Sequence, residues 1–502
     1  IYSDSGDLSH TITIKGTEVR KKGLGKDVTN KVLNGLFGIQ KEGCDGIITQ
    51  ARFILYPKFK YKKTFCIEFF GNDMSQAGEV IAEITKTFQG KDPALVALEH
   101  FDREYVRAIK YKAKTSKGST IIAVLLIDMV SNDPERIEKG SQWLHEILSA
   151  YDKTGFSEAQ DDAQAKRFWQ DRKRLGAIAA HTNAFKLNED IVLPIDSLAE
   201  FARFVDEANL EEKKINQAQI IDNMIQALDH TVPVSDPDLF LKRVSQVKHV
   251  AFEIKKKLDI ASKSAIEAGI HAKNFYEEAV KRVQGFIQVV ERLTESYDQA
   301  RSRLIVIATH MHAGDGNVHV NIPVLSNDRQ MMERANYTAD RVMEKAIELN
   351  GVVSGEHGIG VTKIKHLEPD RVEAMNQYRS QVDPNGLMNP GKLSDPEAID
   401  KVFTTSFNLL EVEARILEYG SLSKLAGLIS NCVRCGRCKP NCPVFYPARN
   451  MFFHPRNKNL SLIALIEALL YISQRNQSTA FKVLKNIEQI ADHCTICHKC
   501  FD

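Results

Sequence analysis

Seven cysteines in two compact groups fix the chemistry at one end of this chain. Cys432, Cys435, Cys438 and Cys442, followed by Pro443, run C-x2-C-x2-C-x3-C-P, and Cys494, Cys497 and Cys500 repeat the first three positions before the sequence stops at Asp502. Thiolates at this spacing on a tight loop hold a cubane [4Fe-4S] cluster. Where two such motifs share a fold, the fourth cysteine of each ligates the other cluster. Cys442 then completes the cluster of Cys494, Cys497 and Cys500, and the cluster of Cys432, Cys435 and Cys438 calls for a cysteine beyond Asp502. A structural zinc site is the competing reading, but zinc knuckles pair C-x2-C units, whereas three cysteines here run at successive x2 spacing, twice. Disulfides fit less well, because the two remaining cysteines, Cys44 and Cys66, lie far from both groups. Thiolates kept for metal imply a reducing compartment, so the expectation is a cytoplasmic protein, or one at the inner face of the membrane.

The chain of 502 residues has room for about two to four domains, and 43% hydrophobic content supports large cores. Lys and Arg number 67 against 65 for Asp and Glu, a balance that gives no reason to expect a nucleic-acid partner. The longest apolar runs, Ile121 to Val130 and Leu460 to Ile472, are too short to span a bilayer and each contains an acidic residue. The expectation is a soluble or at most peripheral protein. A first residue of Ile1 and an interrupted cysteine motif together suggest an internal fragment of a longer polypeptide.

Strand patterns occur at Thr11 to Ile14, Gly46 to Leu55, Lys63 to Phe70 and Thr120 to Met129. Helical patterns cover Ser75 to Gln89 and Glu135 to Ser149, which suggests a sheet with helices on one face. From Ser197 to Arg303 the periodicity is almost wholly helical, with apolar residues at three- and four-residue steps and wet charged faces between them. Strands return at Leu304 to Ala308 and Val318 to Ile322, joined by the turn-forming Ala313-Gly314-Asp315-Gly316-Asn317. A helix is expected from about Arg329 to Leu349, and further helices between the cysteine groups, about Leu460 to Ser473 and Thr479 to Ala491.

The hairpin carries His310-Met311-His312-Ala313-Gly314-Asp315-Gly316-Asn317-Val318-His319. Alternate side chains of a strand share a face, so His310 and His312 point the same way, and His319 and Asn321 can lie across from them. Farther on comes Gly355-Glu356-His357-Gly358-Ile359-Gly360. Two imidazoles and a carboxylate can form a three-ligand site for a divalent cation such as zinc or manganese, with positions left open for substrate. A single histidine on a strand is more often a packed or surface residue, and Gly-x-x-Gly-x-Gly arises by chance.

Taken in order, His312 to His319, then Gly355-Glu356-His357-Gly358, then Asn389-Pro390-Gly391-Lys392 resemble the FAD-linked D-2-hydroxyacid dehydrogenases of the vanillyl-alcohol-oxidase fold. That family includes D-lactate dehydrogenases, the flavin subunit of glycolate oxidase and D-2-hydroxyglutarate dehydrogenase. Gly35 to Thr49 resembles the closing segment of the family's FAD-binding domain, and the cysteine-rich end resembles long, helical ferredoxin modules. The resemblance implies an α+β chain in four parts. Residues 1–56 would be the end of a FAD-binding domain, and 57–395 an antiparallel-sheet substrate (cap) domain with a helical insertion at about 205–300. A helical linker at 396–425 would lead to an all-α, two-[4Fe-4S] ferredoxin-like domain at 426–502.

Carried over position by position, the resemblance makes His312, His319 and Glu356 the metal ligands and His357 the general base. Glu42, Gly43, Gly46 and Asn389 would contact FAD. Arg172 matches an arginine that grips the substrate carboxylate, a task its fork geometry suits. A family lysine falls on Asn188, with Lys186 two residues away, and a second small polar contact falls on Gly176. The implied reaction oxidises a D-2-hydroxy acid to the 2-oxo acid, with electrons passing through FAD and both clusters to a quinone, cytochrome or protein acceptor. The alternative is an electron-transfer subunit whose flavoprotein half is not catalytic.

Overall fold

The computed structural model describes residues 19–29, 42–44, 46, 53, 55–115, 120–182, 186–231, 236–301, 303–325 and 328–395, together with Lys15 and short pieces at 438–445, 449–450, 453–458, 460–461, 492–495 and 497. The strands expected at Thr11 to Ile14 and Gly46 to Leu55, the linker and the helices between the cysteine groups lie wholly or largely outside the described residues.

The strands are β1 (Tyr61–Phe70), β2 (Ala94–Phe101), β3 (Ile121–Ser131), β4 (Thr154–Glu158), β5 (Lys186–Val192), β6 (Ala308–His312) and β7 (Asn317–Pro323). Among the described residues they form one seven-stranded sheet in the order β4-β1-β3-β2-β6-β7-β5, every neighbouring pair antiparallel. The central strands read as nearly continuous apolar runs because both of their faces are covered. Phe65, Ile67, Phe69, Leu125, Ile127 and Met129 face one core, while Cys66, Val124 and Leu126 face another.

Helices therefore cover both faces rather than the single face expected. The first face carries α1 (Ser75–Phe88), then α2 (Arg103–Ala108) turns to the second, and α3 (Pro134–Ser149) returns to the first. The second face is closed by α2 and α4 (Asp162–Lys173), through Tyr105, Val106 and Phe168. Two of these helices start at capping aspartates: Asp102 accepts from the N–H groups of Glu104 and Tyr105, and Asp133 precedes Pro134 and accepts from Glu135 N.

The helical stretch consists of α5 (Leu198–Asp229), α6 (Pro237–Asp259), α7 (Lys263–Glu267), α8 (Ile270–Val283) and α9 (Ile287–Arg301). The 32-residue α5 serves two cores. Its first half lays Leu198, Phe201, Val205 and Ala208 on the sheet, and its second half joins Ile221 and Met224 to Val247 of α6, Phe275 of α8 and Leu293 of α9. Helix α10 (Arg329–Glu348) packs Ala335, Val342 and Ala346 on the first face, and α11 (Pro369–Val382) follows. No described helix is long and apolar enough to cross a membrane.

The strand expected from Leu304 to Ala308 begins only at Ala308. Ile305 and Ile307 are buried as a strand would bury them, but the Asn209 side chain takes both backbone groups of Ile307, donating to its oxygen and accepting from its nitrogen at 2.8 Å each. That side chain of α5 stands where a ladder partner would be.

The β6–β7 turn closes through Gly316, at φ 74°, whose carbonyl accepts from Leu193 N at 2.9 Å. A Cβ there would run into the Leu193 carbonyl oxygen. Gly316→Ala is expected to destabilise the fold by about 2–3 kcal/mol, a cost of steric clash added to a left-handed backbone. Urea denaturation followed by circular dichroism reads that loss directly.

Candidate active site

On the second face the sheet turns polar toward β2, β6, β7 and β5, because alternation aims Glu99, His310, His312, Asn317, His319, Asn321, Asn188 and Asp190 to one side. Register sets their neighbours: Glu99 pairs with His312, Phe101 with His310, His310 with His319, and His319 with Asp190. The expected opposition of His310 and His319 is thus found, their rings stacked 4.7 Å apart.

One donor atom each from His312, His319 and Glu356 lies within 4.8 Å of the others. His319 Nε2 is 2.9 Å from Glu356 Oε1, and His312 Nε2 is 3.6 Å from the same oxygen. Burial holds His319 well below the usual imidazole range and His310 likewise. His312 moves the other way, chiefly because its Nδ1 is hydrogen-bonded to Glu99 at 2.5 Å. Burial works to raise the Glu356 carboxyl, but Lys26, with His319 and His312, holds it below the ordinary glutamate value. Lys26 Nζ sits 3.2 Å from Glu356 Oε2, 3.1 Å from Asp315 Oδ2 and 3.3 Å from Asn317 Oδ1.

The Gly355–Glu356–His357 turn is held from beneath by Asp190, fully buried on β5. Its carboxylate accepts from Gly355 N at 2.6 Å, Glu356 N at 2.7 Å and Ser354 Oγ at 3.0 Å, and pairs with buried Lys363 at 2.9 Å. Burial alone would raise this carboxyl, and the Lys363 ammonium with the two backbone donors outweighs it and holds the group far below the usual range. His357 stands half-exposed at the rim, Nε2 3.8 Å from Glu356 Oε1 and Nδ1 3.9 Å from Asp190 Oδ1.

Arg172 enters from α4, and its Nε donates to Glu99 Oε2 at 2.7 Å. Lys186 reaches the same face, bonded to Asn321 Oδ1, and burial pushes its ammonium down to about 8. Asn188 pairs with Asn321 in the ladder. Two residues along a strand return to the same side, so Lys186 and Asn188 share one face of β5.

Of the residues expected at FAD, Glu42 and Asn389 lie beside this turn, with Gly43 next to Glu42 in the chain. Glu42 (φ 58°) and Gly43 (φ 74°) form a left-handed pair, and among the described residues none would meet a Cβ placed at Gly43. The Glu42 carboxylate is taken by Ile359 N at 2.5 Å and Gly360 N at 2.8 Å, while its carbonyl accepts from Asn389 Nδ2 at 2.8 Å. Gly46 lies partly exposed nearby in sequence. Of the cluster cysteines, Cys442 is buried, Cys438 partly so, and Cys494 and Cys497 are exposed; Cys432, Cys435 and Cys500 lie outside the described residues.

Glu99, Lys26, Asp190 and Lys363 carried no signal in the sequence. Each is an ordinary charged residue until the sheet register and the turn after α10 bring it to the histidines.

The antiparallel sheet gathers histidines and carboxylates on one polar face. The chain belongs to the FAD-linked oxidases: residues 65–223 and 255–393 match the family described as FAD linked oxidases, C-terminal domain. Residues 428–502 match the 4Fe-4S dicluster domain. Glycolate oxidase subunit GlcD of Bacillus subtilis (strain 168) is 25% identical over 396 residues, 78% of this chain and 63% of its own length. Glycolate oxidase subunit GlcD of Escherichia coli (strain K12) is 33% identical over 116 residues, 22% of each chain. The mitochondrial D-lactate dehydrogenase [cytochrome] of Arabidopsis thaliana is 34% identical over 116 residues, 22% of this chain and 19% of its own. The chain spans less than two thirds of the length of each of these relatives.

Proposed function

We propose that the protein oxidises a D-2-hydroxy acid of the lactate, glycolate or 2-hydroxyglutarate type to the 2-oxo acid, and passes the electrons through two [4Fe-4S] clusters to a quinone, cytochrome or protein acceptor. The observation that carries this reading is the convergence of His312, His319 and Glu356 within 4.8 Å, with His357 at the rim. Two neutral-capable imidazoles and one ionised carboxylate are a donor set for zinc or manganese. The left-handed Glu42–Gly43 turn, with the Asn389 amide bonded to it, fits the edge of a flat cofactor such as FAD.

When bound, the divalent cation supplies Lewis-acid polarisation of the substrate's C2 hydroxyl, FAD supplies the hydride acceptor, and the clusters supply one-electron relay. His357, exposed enough to meet substrate, takes the hydroxyl proton at a ring nitrogen. Arg172 holds the carboxylate through the fork atoms that Glu99 leaves open. Tyr105 Oη and the Asn321 amide, 3.2 and 3.5 Å from His310 Nδ1, fix that ring as a neutral wall of the pocket.

Dye-linked oxidation of the three hydroxy acids by the purified protein tests this, before and after stripping with a chelator and repletion with zinc or manganese. Activity should disappear on stripping and return with the metal. Undiminished activity in protein shown to be metal-free would rule out the metal-assisted reading.

A further inference from the structure

We propose that Glu99 is a positioning residue that joins the His312 imidazole to the Arg172 guanidinium, setting the orientation of both toward one substrate. This inference rests on the reading of His312 as a ligand. β2 register places Glu99 directly across from His312, on the face shared with His310 and His319. Glu99 is 9% exposed, and both of its oxygens are engaged: Oε1 with His312 Nδ1 at 2.5 Å and Oε2 with Arg172 Nε at 2.7 Å.

The consequence for His312 is a choice of tautomer. A carboxylate beside Nδ1 requires a proton there, which leaves Nε2 as the donor atom, and Nε2 is the one that faces Glu356 and His319. Carboxylates bonded to the far nitrogen of a ligating histidine fix its ring and raise its basicity. For Arg172 the bond at Nε pins the guanidinium plane and leaves Nη1 and Nη2 with no partner among the described residues. Those two nitrogens are the edge that accepts a carboxylate in parallel. One buried glutamate thus couples a ligand of the proposed cation to the group that holds the acid.

A glutamine of the same shape cannot do this. Its amide offers one acceptor and one donor, so either His312 faces an N–H and moves its proton to Nε2, or Arg172 faces a second donor. The test is titration of the purified, metal-stripped protein with Co2+, followed by visible absorption, on the parent, Glu99→Gln, Glu99→Asp and His312→Ala. Glu99→Gln should weaken binding about 10–100-fold while reaching the parent's spectrum at saturation, since the ligands are unchanged. Glu99→Asp keeps the charge with a shorter reach and should fall between the two. His312→Ala should alter the spectrum itself. Affinity for both Glu99 variants within about threefold of the parent, or a changed saturated spectrum in Glu99→Gln, would overturn the positioning role while leaving the ligand set intact. A parent that binds no Co2+ overturns both this inference and the metal reading beneath it.

Discussion

Asp190→Ala is expected to lower stability by about 3–5 kcal/mol, the cost of leaving one partner of a buried ion pair behind. Lys363, 4% exposed, would keep, among the described residues, only Glu189 at 3.2 Å as an acidic neighbour. Ser354 Oγ and the Gly355 and Glu356 N–H groups would lose their acceptor in the same step. These groups are interior, so water does not replace the lost oxygen cheaply. The turn that presents Glu356 and His357 would come loose from β5. The midpoint of urea unfolding measures the effect, and a loss below about 1 kcal/mol would mean that the turn is held by other contacts.

The largest effect on activity is expected from His319→Ala. His319 is 3% exposed on β7, stacked on His310 and bonded to Glu356 at 2.9 Å. Turnover should fall by about 10³-fold or more, equivalent to several kcal/mol of lost transition-state stabilisation. Bound zinc or manganese, measured by elemental analysis, should fall with it. A variant that keeps full turnover would remove His319 from the chemistry.

The parts of this molecule written locally were legible in its sequence. β6–β7 announces itself through a glycine- and aspartate-rich turn between strands, and its histidines share a face by simple alternation. The helices at Ser75–Phe88, Pro134–Ser149 and Arg329–Glu348 follow from apolar spacing and fall within one or two residues of the expected ends. β2 was missed because Ala94-Leu95-Val96-Ala97-Leu98-Glu99 is rich in good helix formers and is made a strand by its neighbours β3 and β6. β5 was missed because its site-facing positions, Lys186, Asn188 and Asp190, are polar for function and hide the strand pattern. Missing these two strands hid Glu99 and Asp190, the carboxylates that organise the site. No local pattern could reveal that Lys26 meets Glu356 across 330 positions of sequence.

Anaerobic stopped-flow mixing with D-lactate, glycolate and D-2-hydroxyglutarate, each in turn, tests most directly that a 2-hydroxy acid is oxidised here. With at least one of them the flavin band should bleach first and the iron–sulfur absorbance should fall after it. No bleaching with any of the three, in protein shown to hold FAD, divalent metal and both clusters, would contradict this and point to an electron relay whose flavoprotein half does no chemistry on these acids.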